Sequence, residues 1–379
     1  MPERSDLTVL VPSFMKKEVS RRLFLGGMVG AGASLALAAC APGTGGGSGG
    51  GGTLNLYTWG EYDDPDVLKS FTKDTGGPTV KLGSYDSNEE LIAKLNSSKG
   101  TSGYDIVVPT IGFIPQMVQL KLLEKLDKSK LPNIKNVDPA YLDTDLDKGN
   151  DYSVPKAVGV SGYLYDSTVI KRELTSWADF FDAAQKEAAG ATSMLGDPNE
   201  ILWAYFFSIG EDINTNDETK LNAARDFLVK NIAPNVQAFE SYVSATIAQN
   251  GRVLAHSWNG DARQGMLSNP DPERYKWVKP SEGAGQFVDN WCIPVGSKNI
   301  DAAHDFINYV LDPEISLREL EYIGYNTCVR GIEEAAGNVE LPELIFYTPQ
   351  ETEKLVFDIV PESQEKRVAI FNELTAAAG

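Results

Sequence analysis

At 379 residues and 42% hydrophobic composition, the chain is long enough to bury a large core and to divide into two domains or lobes. Its 34 Lys and Arg face 53 Asp and Glu, a formal charge of −19. That balance excludes nucleic acid as a partner, because backbone binding needs clustered basic charge. It suits a cationic ligand, and equally suits mere solubility.

The first segment reads as an export signal. Ser20-Arg21-Arg22-Leu23-Phe24-Leu25 opens an apolar, small-residue run that stays uncharged up to Cys40. The paired arginines resemble a twin-arginine signal, and Leu37-Ala38-Ala39-Cys40 resembles a lipobox whose cysteine is lipidated and becomes the first mature residue. A plain membrane anchor with an incidental cysteine is the alternative. Residues 1–39 are therefore expected to be removed, taking five basic and three acidic side chains and leaving a mature charge of −21. Residues 40–52 follow as a tether ending in GGGSGGGG, a coil with no means of forming a core. No later stretch has the length and apolarity to span a bilayer.

After the tether, strands and helices alternate. Thr53–Tyr57 is a strand, and Asp66–Asp74 a helix stopped by Gly76-Gly77-Pro78. Thr79–Gly83 is a second strand, Ser87–Lys99 a helix, Tyr104–Pro109 a short buried strand, and Ile114–Leu120 another helix. This order predicts a three-layer α/β lobe, whose ligand would lie beyond the carboxyl ends of its strands. Asp151–Asp166 turns to consecutive strand-like segments and is expected to cross into a second lobe. Helices are expected over Thr175–Ala188 and Asp217–Ile232, a strand over Val253–Ser257, and a returning strand over Phe287–Pro294. Ala302–Leu311 and Pro313–Tyr322 follow as helices, with a helix-rich tail over Leu344–Leu374 broken at Pro361.

Catalytic patterns are lacking. There is no G-x-S-x-G elbow and no Walker A motif, and His256 and His304 have no partner at metal-ligand spacing, so both read as structural. Neither an enzyme nor a cofactor or metal site is expected. Paired carboxylates could serve a glycosidase, but no nucleophile–base pair accompanies them. Cys292 and Cys328 leave a disulfide and two buried thiols equally open. Trp177, Trp203 and Trp291 read as core.

A set of segments in fixed order resembles the polyamine (spermidine/putrescine) substrate-binding proteins of bacterial ABC importers. The carriers are YTWGEYDDPDVLKSFTKDTG, GSYDSNEELIAKL, GYDIVVPT, LDKSKLPNI, NDYSVPKAVG, TSWADFF, APNVQAFES, SWNGDA, FVDNWCIP and EYIGYNTC. The resemblance spans nearly all of residues 53–330 and thins in the tail. It implies a periplasmic-binding-protein-like (type II) fold: two three-layer α/β lobes joined by crossing strands, with the ligand cleft between them. The boundaries that follow are 53–159 plus 287–335 for one lobe and 160–286 plus 336–379 for the other.

A polyamine is a chain of ammonium groups separated by methylenes, so its receptor needs carboxylates at intervals and aromatic faces between them. The resemblance assigns Trp59 as a stacking indole, Glu61 as a carboxylate near one ammonium and Tyr62 as a neighbouring phenol. It gives Thr110 a hydrogen bond, and Gly112 leaves a gap where the family often has an aromatic. Asp197 and Glu200 have the spacing of a capping box, yet the family sets an acid pair there against a terminal ammonium. Ser241 matches a polar contact, Trp258 a second indole, and Asp289 a carboxylate meeting a central or distal amine. Phe287 stands where tryptophan is common, and Tyr325 completes the wall. The implied partners are the polyamine, spermidine before putrescine, and the importer's permease; the implied protein is a monomer, exported and held to the cell membrane through Cys40. The same fold with another solute, such as an opine, amino acid derivative, phosphonate or sugar, is the nearest alternative. An anionic solute would want Arg263 or Arg330, which lie nearest the motifs. An extracellular hydrolase and a sensor that does not transport are more distant readings.

Overall fold

The computed structural model describes residues 52–98, 100–357 and 359–379. The export signal, its twin arginines, Cys40 and all of the glycine tether except Gly52 lie outside the described residues. The chain from Thr53 onward is a mixed α/β protein with two main sheets.

The first sheet is parallel, in the order β2 (Thr79–Tyr85), β1 (Thr53–Trp59), β3 (Ile106–Val107). Its first crossover helix, Pro65–Thr75, shows why the local sequence folds as it does. The Asp64 side chain accepts from the Asp66 N–H, proline occupies the first turn, and Val67, Leu68 and Phe71 are buried. Gly76 closes the helix at φ +70°, a conformation that costs glycine little. The predicted strand over Tyr104–Pro109 shrinks to two ladder residues. The backbone at Val107 and Pro109 pairs instead with Cys292 and Asn290 of a strand arriving from far along the chain.

That arriving strand, β9 (Ala284–Trp291), and β4 (Val154–Asp166) are the two crossing elements. They pair antiparallel from Val154↔Trp291 to Val160↔Gln286, with a register shift between Pro155 and Ala157. All 13 residues of β4 are buried. Its first half enters a core built from Leu54, Leu56, Phe71, Ile106, Trp291 and Phe306. Its second half pairs with β7 (Leu254–Trp258) and β8 (Tyr275–Val278), and Tyr163 and Tyr165 enter a separate core with Trp177, Phe180, Trp203 and Phe206. One buried strand thus serves two cores, which is why the sequence there looks apolar throughout rather than alternating. The second sheet is completed by β5 (Thr192–Leu195), β6 (Val236–Glu240) and β10 (Leu355–Phe357), in the order β10-β9-β4-β7-β5-β6.

Two further expectations need correction, and one open question closes. The single helix expected over Asp217–Ile232 is an α-helix only over Glu218–Phe227, and widens into a π turn over Leu228–Ile232. The tail is not helix-rich before Pro361: it holds a short helix at Pro349–Thr352 and strand β10, and only Gln364–Ala378 is a long helix. Leu355-Val356-Phe357 suits a strand, and β9 offers it a parallel pairing partner from Ala284 to Gln286. Cys292 and Cys328 are both buried free thiols, so the open question of a disulfide closes on thiols. The three tryptophans read as core are at most 2% exposed.

Candidate functional site

One cavity of about 840 Å³ gathers every predicted site residue: Trp59, Glu61, Tyr62, Thr110, Asp197, Glu200, Ser241, Trp258, Phe287, Asp289 and Tyr325 all line it. The topology explains the convergence. Trp59 and Trp258 are the last residues of β1 and β7, and Phe287 and Asp289 sit two apart on one face of β9.

At the end of β1, the Trp59 indole N–H donates to the Val108 carbonyl at 3.0 Å, and its ring tilts against Tyr85 at 4.6 Å. The indole is therefore held at a fixed angle. Glu61 then takes φ +54°, a left-handed conformation uncommon outside glycine. The kink separates two neighbours: Tyr62 turns into the buried wall, while Glu61 remains exposed at the rim.

Asp289 is buried and its carboxyl is pushed up to about 6 by desolvation, opposed by Thr110, Tyr62 and Lys156. The Thr110 hydroxyl donates to Asp289 Oδ1 at 2.8 Å and accepts from Asn88 Nδ2 at 3.0 Å, while the Thr110 N–H donates to Asn88 Oδ1. A threonine has one hydroxyl proton. In this arrangement that proton goes to the carboxylate, so Thr110 orients Asp289 and has only acceptor capacity left for a ligand.

The aromatic wall is a string of edge-to-face rings. Trp258 meets Phe287 at 6.4 Å, Phe287 meets Tyr325 at 5.6 Å, and Tyr325 meets Tyr62 at 5.6 Å. Such contacts add about 0.5–1.5 kcal/mol each beyond area burial. Two glycines make room for them. A Cβ on Gly159 would lie 2.3 Å from the Phe287 ring, and one on Gly260 would lie 2.4 Å from the Tyr325 ring. The gap expected at Gly112 is offset by the next residue, because Phe113 lines the cavity.

Across the cavity, Asp197 takes the capping role and both acids of the pair also line the cavity. Asp197 caps the helix Pro198–Ser208, its Oδ1 accepting from Asn199 N at 2.7 Å and Glu200 N at 3.0 Å, and it also lines the cavity. Burial raises its carboxyl pKa against these two N–H donors. Glu200 is buried, with the Trp258 indole N–H 3.5 Å from Oε1. His256 lies 3.9 Å from Glu200 Oε2, but burial drops its pKa to about 3 and keeps it neutral. His304 is structural: Nε2 accepts from Asp127 N, and Nδ1 faces the Ile300 carbonyl.

Sequence reasoning missed several lining residues. Asp86 and Glu89 flank a helix start and read as ordinary first-turn acids. Asp261 lies inside SWNGDA but reads as part of the turn. Its carboxylate accepts from the Val243 and Ser244 N–H groups, and burial pushes it up to about 6. With Glu321, eight carboxylates line the cavity: Glu61, Asp86, Glu89, Asp197, Glu200, Asp261, Asp289 and Glu321. Among the described residues no lysine or arginine lines it. Arg263 is buried elsewhere, donating to the Glu340 carbonyl, and Arg330 binds the Lys135 carbonyl.

Residues 66–343 match the bacterial extracellular solute-binding protein family. The spermidine/putrescine-binding periplasmic protein 1 of Haemophilus influenzae is 36% identical over 277 residues, 73% of this chain and 75% of the relative. The putrescine-binding periplasmic protein SpuD of Pseudomonas aeruginosa is 36% identical over 276 residues, 69% of this chain and 74% of the relative. Among solved structures, the PotD lipoprotein of Treponema pallidum superposes with a TM-score of 0.75 at 29% identity, covering 85% of this chain and 99% of that one. The chain belongs to the bacterial extracellular solute-binding proteins, within the polyamine substrate-binding family of type II fold.

Proposed function

We propose that this protein captures a linear polyamine between its two lobes and delivers it to the permease of an ABC importer. The observation that carries this reading is the cavity lining: eight carboxylates, a string of aromatic rings and, among the described residues, no lysine or arginine. Ammonium groups would meet Glu61 at the rim, Asp289 in the middle and the Asp197–Glu200 pair at the far side. Methylenes would lie on Trp59, Trp258, Phe287 and Tyr62 in apolar contact, and each ring can add about 0.5–2 kcal/mol of cation–π attraction to a neighbouring ammonium. Ser241 and Tyr325 supply polar edges. The number of carboxylates favours the triamine spermidine over the diamine putrescine, and the absence of arginine among the described lining residues disfavours an anionic solute. The lobes are 53–159 plus 287–335 and 160–286 plus 336–379. Repulsion among their carboxylates falls when a polycation lies between them, which couples closure to ligand.

The leader and Cys40 complete the proposal: export through the twin arginines, then lipid attachment to the cell membrane facing the exterior. Incorporation of labelled fatty acid, lost in Cys40→Ala, tests the anchor. Titration calorimetry of the mature chain with spermidine, putrescine and glutamate tests the ligand. Binding of glutamate, or absence of binding by both amines at millimolar concentration, would sink the polyamine reading.

A further inference from the structure

Immediately behind the cavity sits a second cluster of the same chemistry, already filled. Lys156, on β4, is buried in the same region as the site of a cation receptor. Its Nζ lies 2.9 Å from Asp63 Oδ1 and 3.8 Å from Glu319 Oε2, with all three side chains at most 5% exposed. The same nitrogen lies over two rings, 4.8 Å from the centroid of Tyr62 and 4.2 Å from that of Trp291. Two carboxylates and two aromatic faces around one ammonium repeat what the cavity offers its ligand. Tyr62 belongs to both clusters, because it also lines the cavity, whereas Lys156, Asp63 and Trp291 do not.

We infer that Asp63, Glu319, Tyr62 and Trp291 form an ammonium cage occupied by the chain's own Lys156, which closes the first-lobe end of the ligand site and so limits ligand length. The inference rests on the polyamine reading for its consequence, but the cage itself does not. Several features give it content. Glu319 also accepts from the Asp64 N–H at 3.2 Å, so the cage is tied to the turn that carries Glu61 and Tyr62. The charged groups facing Lys156 come from three elements: Asp63 from the turn after β1, Glu319 from the helix Pro313–Ile323, and Asp289 from β9. A buried pair of carboxylates left without its cation is costly, so an emptied cage should recruit a replacement. Burial raises the Glu319 carboxyl pKa, and the Lys156 ammonium beside it pulls that pKa back down, so the lysine favours the ionised form of the cage.

The test is chemical rescue. In Lys156→Ala the melting temperature should fall by roughly 10 °C, and n-propylammonium chloride should restore several degrees of it. The same salt should leave the wild-type protein and Lys156→Met, whose stem still fills the cage, unmoved. If Lys156→Ala does not fold, Lys156→Ala/Asp63→Asn removes one stranded carboxylate and keeps Glu319 as acceptor. Absence of rescue in every folded alanine variant overturns the cage. For the length limit, calorimetry on the same variant should raise the spermine-to-putrescine affinity ratio at least tenfold over wild type. An unchanged ratio overturns the role as end stop. Wild-type protein that binds no polyamine would defeat the functional reading while leaving the rescue result intact.

Discussion

The two sides of the cavity present carboxylates in opposite ways. Asp289 stands inside a crossing strand, buried among rings, with one hydroxyl aimed at it and its pKa pushed up to about 6. Asp197 stands at a helix start, where two backbone N–H groups counter the burial that raises its carboxyl pKa. A helix cap contributes to folding by itself, whereas a buried mid-strand carboxylate opposes folding until a cation arrives. The first is thus compatible with a purely structural origin. The mid-strand carboxylate has no capping role of that kind and carries the proposal that it meets a ligand's ammonium.

The largest expected effect breaks the comparison if it fails. Asp289→Ala should lose at least 100-fold in spermidine affinity by calorimetry, the order expected when one partner of a buried, hydrogen-bonded charge pair is removed, about 2–5 kcal/mol. A loss confined to a few-fold, with Glu200→Gln costing more, would reverse the ranking of the two sides.

Stability should move the other way. The folded pKa of Asp289 lies above its unfolded value, so its contribution is fully present below about 3.8 and is lost as pH rises through about 6. The empty Asp289→Asn protein should therefore match wild type near pH 4. Above pH 6 it should gain up to about 3 kcal/mol, visible as a higher melting temperature at pH 7. Wild-type spermidine affinity should correspondingly fall by as much as tenfold per unit below about pH 6, a dependence that Asp289→Asn removes. A flat profile in wild type would mean that Asp289 does not meet the amine.

Smaller effects sharpen the contrast. Asp197→Ala should cost about 1 kcal/mol of stability through the lost cap, the opposite sign to Asp289→Asn, as read by denaturant melts of ligand-free protein. Thr110→Val removes the hydroxyl that orients Asp289. It should weaken spermidine about fivefold, near 1 kcal/mol, and move the acid limb of the affinity profile to higher pH.

Much of this protein is legible in its sequence because the relevant signals are local or repeated. The Pro65–Thr75 helix carries its own cap, proline and glycine stop. The aromatic and acidic residues at strand ends mark a cleft, since parallel sheets put ligands there. What failed to show in the sequence depends on distant partners. The strand Leu355–Phe357 has β propensity but exists because β9 pairs with it. Phe113 replaces the ring absent at Gly112 only through the short turn that holds it. Asp261 looks like a turn residue until residues 243 and 244 fold back onto it.

The sequence by itself thus determined the alternation of elements and the anionic character, which are written in composition and short-range spacing, while the ring-and-carboxylate set came from the resemblance to the polyamine-binding family carried by its ordered segments. Only the tertiary structure decided which of those groups share one cavity, that Thr110 spends its proton on Asp289, and that Lys156 lies against Asp63, Glu319 and two rings. Those facts join residues far apart in the chain, Thr110 and Asp289 by 179 positions, and neither the pairing of crossing strands nor the desolvation that sets a carboxylate's charge has any local signature.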